Sequence, residues 1–489
     1  MNIIQNLPIL VVIVPLIASF CMPIIGLFRR RYCFYLTLIT NFLILIFAML
    51  LLNYVINQGE IHYYLGNWEP PYGIEYVIDH LSAFMIILIS FIAFIMTIYS
   101  KEDVENELPT NAPLFYTLFM LLTASLLGIV STGDLFNLYV FLEIASLSAY
   151  TLVAVGKKKD ALIGSFNYLI MGTLGACFIL IGIGFLYLVT GSLNMADIAL
   201  RLPSLYSSHV VHAAAIFFVV GLSIKIALFP LHVWLPDAHA HAPSTISVFL
   251  SGLVLKVGAY AMIRVLFDIF TVEFFVNTLP IAEVLSWMAA IAIIAGSINA
   301  IAQKDIKRML AYSSVSQMGY IALGIGLANT PGIMGSLLHI LNHAFMKGCL
   351  FSAAGAIIHK YKIRNVHQFK GLGKKMPYTM AAFSIAAISM VGAPPFGAFF
   401  SKLFLALGAI ESGKWIFALI ILISSLLNAA YFFSILERAY FTKLHDEEIE
   451  EAPISMVLPT FILAMGCIAF GVFMFILEPF LRDIATSLL

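Results

Sequence analysis

Long apolar stretches follow one another along almost the whole chain, separated by short breaks that carry charged residues, proline or glycine. A helix needs roughly 20 apolar residues to cross the hydrocarbon core of a membrane, and most of the stretches reach that length. Backbone polar groups in lipid must be hydrogen-bonded internally, which leaves only helices and closed barrels. Continuous apolar runs of this length exclude the barrel, so the pattern predicts an all-α polytopic membrane protein.

The breaks divide the sequence into about fourteen transmembrane helices. We predict them at residues 3–27, 33–57, 80–100, 112–131, 134–156, 161–190, 210–235, 241–267, 283–302, 307–327, 332–359, 378–410, 414–441 and 454–480. The first stretch lacks the basic start of a signal peptide and is too long for its apolar core, so we expect it to remain as a helix. With fourteen helices, both termini lie on one side of the membrane.

Composition and charge narrow the possible functions. Of the 489 residues, 62% are hydrophobic and only 11% are charged, which excludes a soluble enzyme. The 26 basic residues balance the 26 acidic ones, and this argues against a nucleic-acid partner, because phosphate binding needs a concentrated basic surface. The cysteines lack metal-ligand spacing and are expected to be buried hydrophobic residues; they are Cys21, Cys33, Cys177, Cys349 and Cys467.

Alternate loops differ in positive charge, which orients the chain. Eighteen basic residues fall on the side opposite the termini: Arg29, Arg30, Arg31, Lys101, Lys157, Lys158, Lys159, Lys304, Lys307, Arg308, Lys360, Lys362, Arg364, Lys370, Lys374, Lys375, Arg438 and Lys443. The terminal side has only Arg201, Arg264, Lys414 and Arg482. Basic loops stay in the cytoplasm, so we expect both termini outside, in the inner membrane of a bacterial or archaeal cell.

Four lysines remain, each near the middle of its predicted helix: Lys225, Lys256, Lys347 and Lys402. A cation at the bilayer centre costs about 2.5 to 3.5 kcal/mol, so chance is a poor explanation for four. Only one acid, Glu143, is equally deep. A lysine near a helix end would extend to the headgroups, but each of these has about ten or more residues on either side. We interpret them as a proton relay, because burial favours the neutral amine and a nearby carboxylate restores the charge.

Two of these lysines lie beside proline. Pro230 follows Lys225 by five residues, and Pro395 precedes Lys402 by seven. Proline frees backbone carbonyls that protein, water or an ion must then satisfy. Either proline alone is equally compatible with a packing kink. The two together, in corresponding halves of the chain, predict that helices 7 and 12 are broken, as in inverted-repeat transporters.

Other polar positions extend the predicted relay. His339, His343 and Lys347 are spaced i, i+4 and i+8 on one helix, beside Asn342, and imidazole exchanges protons near neutral pH. His232, His239 and His241 lie where protons would enter from the cytoplasm. A metal site at Asp237, His239 and His241 is disfavoured, because no fourth ligand follows the pattern.

Hydroxyl groups lie along the same predicted helices. Ser146 and Tyr150 follow Glu143 at i+3 and i+7. Ser244, Thr245, Ser247 and Ser251 run from His241 toward Lys256. Such hydroxyls either bond back to their own helix or hold a chain of water molecules, and the sequence does not separate the two.

Several of these positions fall within longer motifs: residues 225–245 (KIALFPLHVWLPDAHAHAPST), 251–260 (SGLVLKVGAY), 304–314 (KDIKRMLAYSS) and 339–347 (HILNHAFMK). They resemble the antiporter-like proton-translocating subunits shared by respiratory complex I and the multisubunit Mrp cation/proton antiporters. The loop at 66–74 (GNWEPPYGI) is similar to the outer loop of the Mrp D-type subunit. The resemblance covers nearly the whole chain.

The resemblance implies fourteen helices with two inverted five-helix repeats. It divides the chain into residues 1–110 (helices 1–3), 111–268 (first repeat), 276–445 (second repeat) and 453–489 (helix 14). By resemblance, Glu143 and Lys225 form an ion pair, Lys256 is the central carrier, and Lys402 is the terminal residue. His339, His343 and Lys347 would bridge toward the second half-channel.

Three hypotheses of function follow. The first is a subunit of a Na⁺/H⁺ antiporter, which needs partner subunits. The second is a proton-translocating subunit of an NADH-quinone oxidoreductase or a membrane-bound hydrogenase, driven by electron transfer elsewhere. The chain has no flavin motif, iron-sulfur cysteines or nucleotide loop, so we expect a transporter subunit with no cofactor or metal of its own. The third is an intramembrane metalloenzyme built on Asp237, His239 and His241.

Overall fold

The computed structural model is almost entirely helical and describes residues 3–108, 110–155, 159–442 and 449–489. Its helices are α1 (Leu7–Phe28), α2 (Arg31–Gln58), α3 (His80–Glu107), α4 (Ala112–Ser131), α5 (Leu135–Ala154), α6 (Lys159–Thr190), α7 (Met195–Arg201), α8 (His209–Lys225), α9 (Trp234–His241), α10 (Ser244–Phe249), α11 (Leu255–Ile263), α12 (Ile281–Ile301), α13 (Ile306–Leu327), α14 (Thr330–Tyr361), α15 (Leu372–Lys375), α16 (Pro377–Val391), α17 (Gly397–Glu411), α18 (Trp415–Phe441), α19 (Ile454–Val472) and α20 (Met474–Leu488). Segments of π-helix lie at Leu250–Val254, Arg264–Ile269 and Glu273–Thr278. Three of the basic loop residues, Lys157, Lys158 and Lys443, lie outside the described residues.

The predicted polytopic α-fold is confirmed. Within the described ranges, eleven helical segments are long and apolar enough to cross a membrane. Three predicted spans are not among them. The span at 307–327 corresponds to α13, which has 22 residues and many polar side chains. The other two, at 210–235 and 378–410, are the predicted broken helices.

The first break lies closer to its lysine than the sequence suggested. α8 ends at Lys225, and Ala227 then adopts a positive φ of 53°, so the prediction that Lys225 lies near the middle of a helix was wrong. Pro230 cannot continue a helix, and the next one, α9, begins only at Trp234. The second break separates α16 from α17, and Lys402 is the sixth residue of α17.

The packing of the chain forms two compact units. The first comprises Met1–Thr97, Val104–Ile226 and Val257–Pro280, and the second comprises Ile98–Asp103, Ala227–Lys256 and Ile281–Leu489. Glu143 and Lys225 belong to the first unit. Lys256, Lys347 and Lys402 belong to the second. The division into two inverted repeats at 111–268 and 276–445 stays a prediction.

Many large apolar side chains are exposed, and polar side chains are buried among the apolar core, as expected of a protein that faces lipid. α14 is buried continuously from Gly332 to Ile357, although this stretch carries histidines and a lysine. Helices α2, α6 and α18 expose leucine, isoleucine and phenylalanine side chains instead. Cys33, Cys349 and Cys467 are buried as expected, whereas Cys21 is half-buried and Cys177 is exposed on α6, so the expectation was wrong for these two.

A short hairpin connects α2 to α3, with β1 (Ile61–Tyr64) antiparallel to β2 (Glu75–Ile78). Glu75 is buried; its carboxylate lies 3.3 Å from His62 Nδ1 and accepts a hydrogen bond of 2.7 Å from the Asn194 amide. Burial alone would lower the pKa of His62, but hydrogen bonds to Glu60 and Glu75 raise this pKa above its ordinary value. These contacts fix the hairpin to the rest of the first unit.

A buried carboxylate holds the start of α10. α3 extends past its predicted end at residue 100, and this brings Asp103, 3% exposed, into the second unit. The Thr245 backbone N–H and hydroxyl donate to Asp103 Oδ2 at 2.8 and 2.7 Å. Hydrogen bonds to a buried charge are among the stronger ones in proteins.

We expect Asp103→Ala to lower the stability of the second unit by about 2 to 3 kcal/mol, because both Thr245 donors would remain buried and unpaired. The measurement is the thermal unfolding midpoint of the purified complex that contains this chain. Asp103→Asn keeps the shape and one acceptor, so it should show a smaller decrease. An unchanged midpoint for Asp103→Ala would contradict this role.

Candidate functional site

The first unit holds an ion pair between α5 and α8. Lys225 Nζ donates to Glu143 Oε1 at 3.2 Å and to Ser146 Oγ at 2.8 Å. Lys225 is 8% exposed, and the Glu143 side chain is 25% exposed. Glu143 and Ser146 are three residues apart on one helix, so both face the lysine. Ser146 also donates to the Leu142 carbonyl, so its hydroxyl bonds back to its own helix and accepts from the lysine as well.

Tyr150 lies one further turn along α5. Its ring is buried edge-to-face against Tyr168 of α6, with ring centroids 4.4 Å apart. Gly172 makes room for the phenol, because a Cβ at that position would lie 1.7 Å from the Tyr150 hydroxyl oxygen. The structure therefore holds Tyr150 in place, while its part in proton transfer stays a prediction.

Lys256 follows the π-helical segment Leu250–Val254 directly, as the second residue of α11. It is fully buried, and its Nζ donates to the Ser251 carbonyl, five residues earlier. Ser251 Oγ lies 2.8 Å from Ser314 Oγ of α13. Among the described residues, no carboxylate lies within ion-pair distance of Lys256. Its charge is therefore balanced only by neutral dipoles.

The histidines and the lysine of α14 form the predicted row in the second unit. His339 Nε2 lies 2.9 Å from Gln317 Oε1, and its Nδ1 lies 2.9 Å from Ser401 Oγ. A neutral imidazole fits these partners when Nε2–H donates to the amide oxygen and Nδ1 accepts from the Ser401 hydroxyl, whose single proton is also directed at the Ala398 carbonyl at 3.0 Å. His343 stacks on His339 with ring centroids 5.8 Å apart. Its two ring nitrogens have no hydrogen-bond partner in the described chain.

Lys347 and His239 approach the same aromatic ring. Lys347 Nζ donates to the Leu310 carbonyl at 2.7 Å and to the Ser313 hydroxyl, and it lies 5.9 Å from the centre of the Phe351 ring. His239 of α9 is fully buried and stacks on Phe351 at 4.8 Å. Phe351 thus links α9 to the row on α14.

The remaining residues predicted around α9 are less enclosed. His232 lies in the break, with its ring stacked on Phe229 at 5.1 Å. His241 Nδ1 lies 3.0 Å from the Asp237 carbonyl, and the Asp237 carboxylate pairs with Arg308 at 3.3 Å. The described residues contain no group of three histidine, cysteine or acidic side chains arranged to hold a metal ion.

The hydroxyl residues predicted between His241 and Lys256 mostly bind to the protein itself. Ser247 Oγ donates to the carbonyls of His239 and Pro243, each at 3.3 Å. Thr245 donates to Asp103. Ser244 is buried at the start of α10, where α14 passes closely at Gly355. Ser247 and Thr245 therefore have protein partners, and Ser251, beside Lys256, contacts a second hydroxyl.

The side chain of Lys402, from α17, extends into the second break. Its Nζ donates to the carbonyls of Met390 and Val391, at 3.0 and 2.9 Å, and to Ser425 Oγ at 3.1 Å. These carbonyls are at the end of α16. The sequence indicated that a break at Pro395 would free backbone carbonyls, and the lysine itself satisfies two of them.

Two basic residues assigned to loops are mostly enclosed instead: Lys307 is buried, and the Arg264 side chain is 11% exposed. Arg264 lies in a π-helical segment and pairs with Asp79 and with Asp268, the latter at 2.7 Å. Lys307 donates to the Ala242 carbonyl at 3.0 Å. Both are within the first or last turns of long helices, where the boundary between loop and membrane is hardest to predict from sequence.

Comparisons with known proteins agree on one family. Residues 132–428 match the family described as "NADH:quinone oxidoreductase/Mrp antiporter, TM". A Desulforudis audaxviator protein named NADH-quinone oxidoreductase subunit N is 44% identical over 483 residues, which cover 96% of each chain. A Staphylococcus epidermidis protein named putative antiporter subunit mnhD2 is 31% identical, covering 94% of this chain and 92% of its own.

Solved structures have the same fold. A chain of the membrane-bound sulfane sulfur reductase, described as an archaeal respiratory membrane complex, superposes with a TM-score of 0.93 at 32% identity, covering 99% of this chain and 98% of that one. A chain of the Mrp complex from a Dietzia species superposes with a TM-score of 0.89 at 23% identity, covering 100% and 98%. The second similarity, at this identity, concerns the fold alone.

Proposed function

Because the chain belongs to the family of membrane subunits shared by NADH:quinone oxidoreductases and Mrp antiporters, we propose that it translocates protons as one subunit of a larger membrane complex. The observation that carries this proposal is the Lys225–Glu143 pair at 3.2 Å, next to a break in the chain. Three further buried lysines, which lack a carboxylate partner in the described chain, support it.

The pair supplies a switch for one proton. A buried ammonium is costly without a counter-charge, so contact with Glu143 favours the protonated form of Lys225. If movement at the break separates the two groups, the proton leaves more readily. We propose that Ser146 and Tyr150 line the same path.

The second unit would continue the relay. Lys256 acts as a carrier whose charge is stabilised only by dipoles, and the row of His339, His343 and Lys347 passes protons along α14. Lys402 is the terminal proton site. His232, His239 and His241 would take up protons at the cytoplasmic side, with both termini outside in the inner membrane of a bacterial or archaeal cell.

The first candidate for the driving reaction is exchange with a monovalent cation, Na⁺, in a multisubunit antiporter. The similarity to a protein named as a putative antiporter subunit supports it. A transmembrane potential of 100 mV is worth about 2.3 kcal/mol per charge, enough to drive a buried proton site through its protonation change.

Electron transfer in partner subunits is the second candidate. It is favoured by the 44% identity to a protein named NADH-quinone oxidoreductase subunit N and by the likeness to an archaeal respiratory complex. In this case the same relay would move protons in response to a redox reaction that takes place outside this chain.

Everted membrane vesicles with a pH-sensitive dye test both candidates. We expect deletion of the gene to abolish either the pH change that follows a Na⁺ pulse or the pH change that follows addition of NADH. Loss of the first identifies an antiporter, and loss of the second identifies a redox-driven pump. If both responses survive in the deletion strain, the chain does not translocate protons. A strain carrying the intact gene on a plasmid is the control.

A further inference from the structure

The Lys402 ammonium lies in a cage of neutral oxygen atoms. Besides the two carbonyls of α16 and Ser425 Oγ, the ring of Tyr320 faces it, with Nζ 5.1 Å from the ring centre. Lys402 is 6% exposed, and no carboxylate of the described chain lies within ion-pair distance. We refer to Met390, Val391, Ser425 and Tyr320 as the cation cage.

The fold of the break creates this cage. Carbonyls at the end of a helix lack intrahelical donors and carry the negative end of the helix dipole. Gly392, with a φ of +91°, turns the chain immediately after Val391. A Cβ on Gly392 would lie 2.9 Å from Lys402 Cδ and 3.2 Å from Nζ, so the glycine also leaves the space that the cation fills.

The other buried lysines have different surroundings. Lys225 contacts a carboxylate. Lys256 contacts one carbonyl, and Lys347 contacts one carbonyl and one hydroxyl and faces the Phe351 ring. Lys402 is bound by three neutral oxygens beside an aromatic face, and backbone carbonyl and hydroxyl oxygens are also ligands of small monovalent cations. In transporters with broken helices, the C-terminal ends of half-helices coordinate Na⁺ in this way.

We propose that the cation cage is a binding site for a free monovalent cation, Na⁺ or one of similar size, and that the protonated Lys402 side chain occupies it as a tethered cation. Deprotonation breaks one Nζ–H bond, leaves the electron pair on nitrogen and passes the proton to water. The neutral amine then withdraws, and one cation takes its place. The inference rests on the proposed function and assigns its first candidate, exchange with a monovalent cation, to this site, with one proton exchanged for one cation.

Few titratable groups face Lys402. Tyr320 of α13 contributes its phenol ring, and His339 of α14 is held by Ser401, the residue before Lys402. α16 and α19 carry no charged residue. On α18, the charged residues Glu437 and Arg438 come twelve and thirteen positions after Ser425. The competition between proton and cation is therefore centred on the lysine amine.

Equilibrium binding of radioactive Na⁺ to the purified complex tests the proposal. In the wild type, the apparent affinity should rise about tenfold per pH unit as the amine deprotonates, because one proton competes with one cation. In Lys402→Ala, Na⁺ should bind equally well across the pH range, and ethylammonium should displace it. Lys347→Ala is the matched control, because it also removes a buried lysine but does not free the carbonyls at the end of a helix. The two variants are compared at a pH at which wild-type binding is still suppressed by the protonated amine. If Lys402→Ala binds no more Na⁺ than Lys347→Ala there, the cage is not a cation site.

A second variant removes a cage ligand without removing the lysine. Ser425→Ala should weaken Na⁺ binding at alkaline pH at least about fivefold, whereas Ser384→Ala, which removes a hydroxyl of α16 outside the cage, should not. Equal binding by both serine variants and the wild type would also refute the proposal. The binding measurement applies no ion gradient and does not depend on proton translocation. If Na⁺ does not bind but protons are still translocated, this inference alone is refuted. The vesicle assay tests the proposed function separately.

Discussion

Proton translocation is expected to fall at least about tenfold when Glu143 is changed to glutamine. The variant removes the only carboxylate bound to Lys225 in the described chain and leaves the side-chain volume almost unchanged. A tenfold change in rate corresponds to about 1.4 kcal/mol. This is less than the cost of removing one partner from a fully buried ion pair, because Glu143 is partly exposed. The rate of dye response in everted vesicles, driven by whichever reaction the deletion strain identifies, is the measurement.

Glu143→Asp is the matched control, because it keeps the charge and moves it by one methylene group. We expect it to retain more activity than Glu143→Gln. The amount of assembled complex must be compared in all strains. A Gln variant that assembles normally and translocates protons at the wild-type rate would exclude the pair as the switch.

Lys256→Met should abolish proton translocation and leave the complex as stable as the wild type or more stable. Methionine has a similar length and shape, but it cannot carry a proton. Because Lys256 is fully buried and balanced only by dipoles, its charged form is costly, and replacing buried charges by apolar groups is often neutral or stabilising. Vesicle assays and thermal unfolding of the purified complex measure the two effects independently.

This combination separates function from folding. A residue that is needed only for packing would lose both activity and stability on substitution. Lys360→Met, at a half-exposed lysine that pairs with Glu450, should change neither. Normal translocation by Lys256→Met would remove this lysine from the relay, and a large drop in the unfolding midpoint would indicate a structural role instead.

Much of the fold could be predicted because the positions of membrane helices and of their breaks depend on local features, namely apolar runs and prolines. Each of the fourteen predicted spans corresponds to helix in the described chain, and both breaks follow from Pro230 and Pro395. The four deep lysines and Glu143 were recognisable because charged residues are rare in such surroundings. The sequence therefore indicated four of the buried lysines, but not the buried Glu75, Asp103 and Lys307.

Apart from the Glu143–Lys225 pair, which the family resemblance implied, the partners of those charges could not be predicted. Lys402 and Lys256 bind backbone carbonyls, which every residue has, so no residue type marks these sites. Ser425 and Gln317 resemble many other polar residues in helices, and only tertiary packing brings them to their partners. Arg264 and Lys307 were assigned to loops because their distance from a helix end is only a few residues.

The π-helical turn before Lys256 has a mechanical consequence. Leu250–Val254 holds one residue more per hydrogen-bonded ring than an α-helix does, and such turns often occur at functional sites. Returning this segment to α-helical pairing would rotate the residues on one side of it by about 100° relative to the other side and shift them by about 1.5 Å. A change of hydrogen-bond register inside one helix would thus redirect the lysine to a different set of neighbours through a rotation and a shift of about one residue.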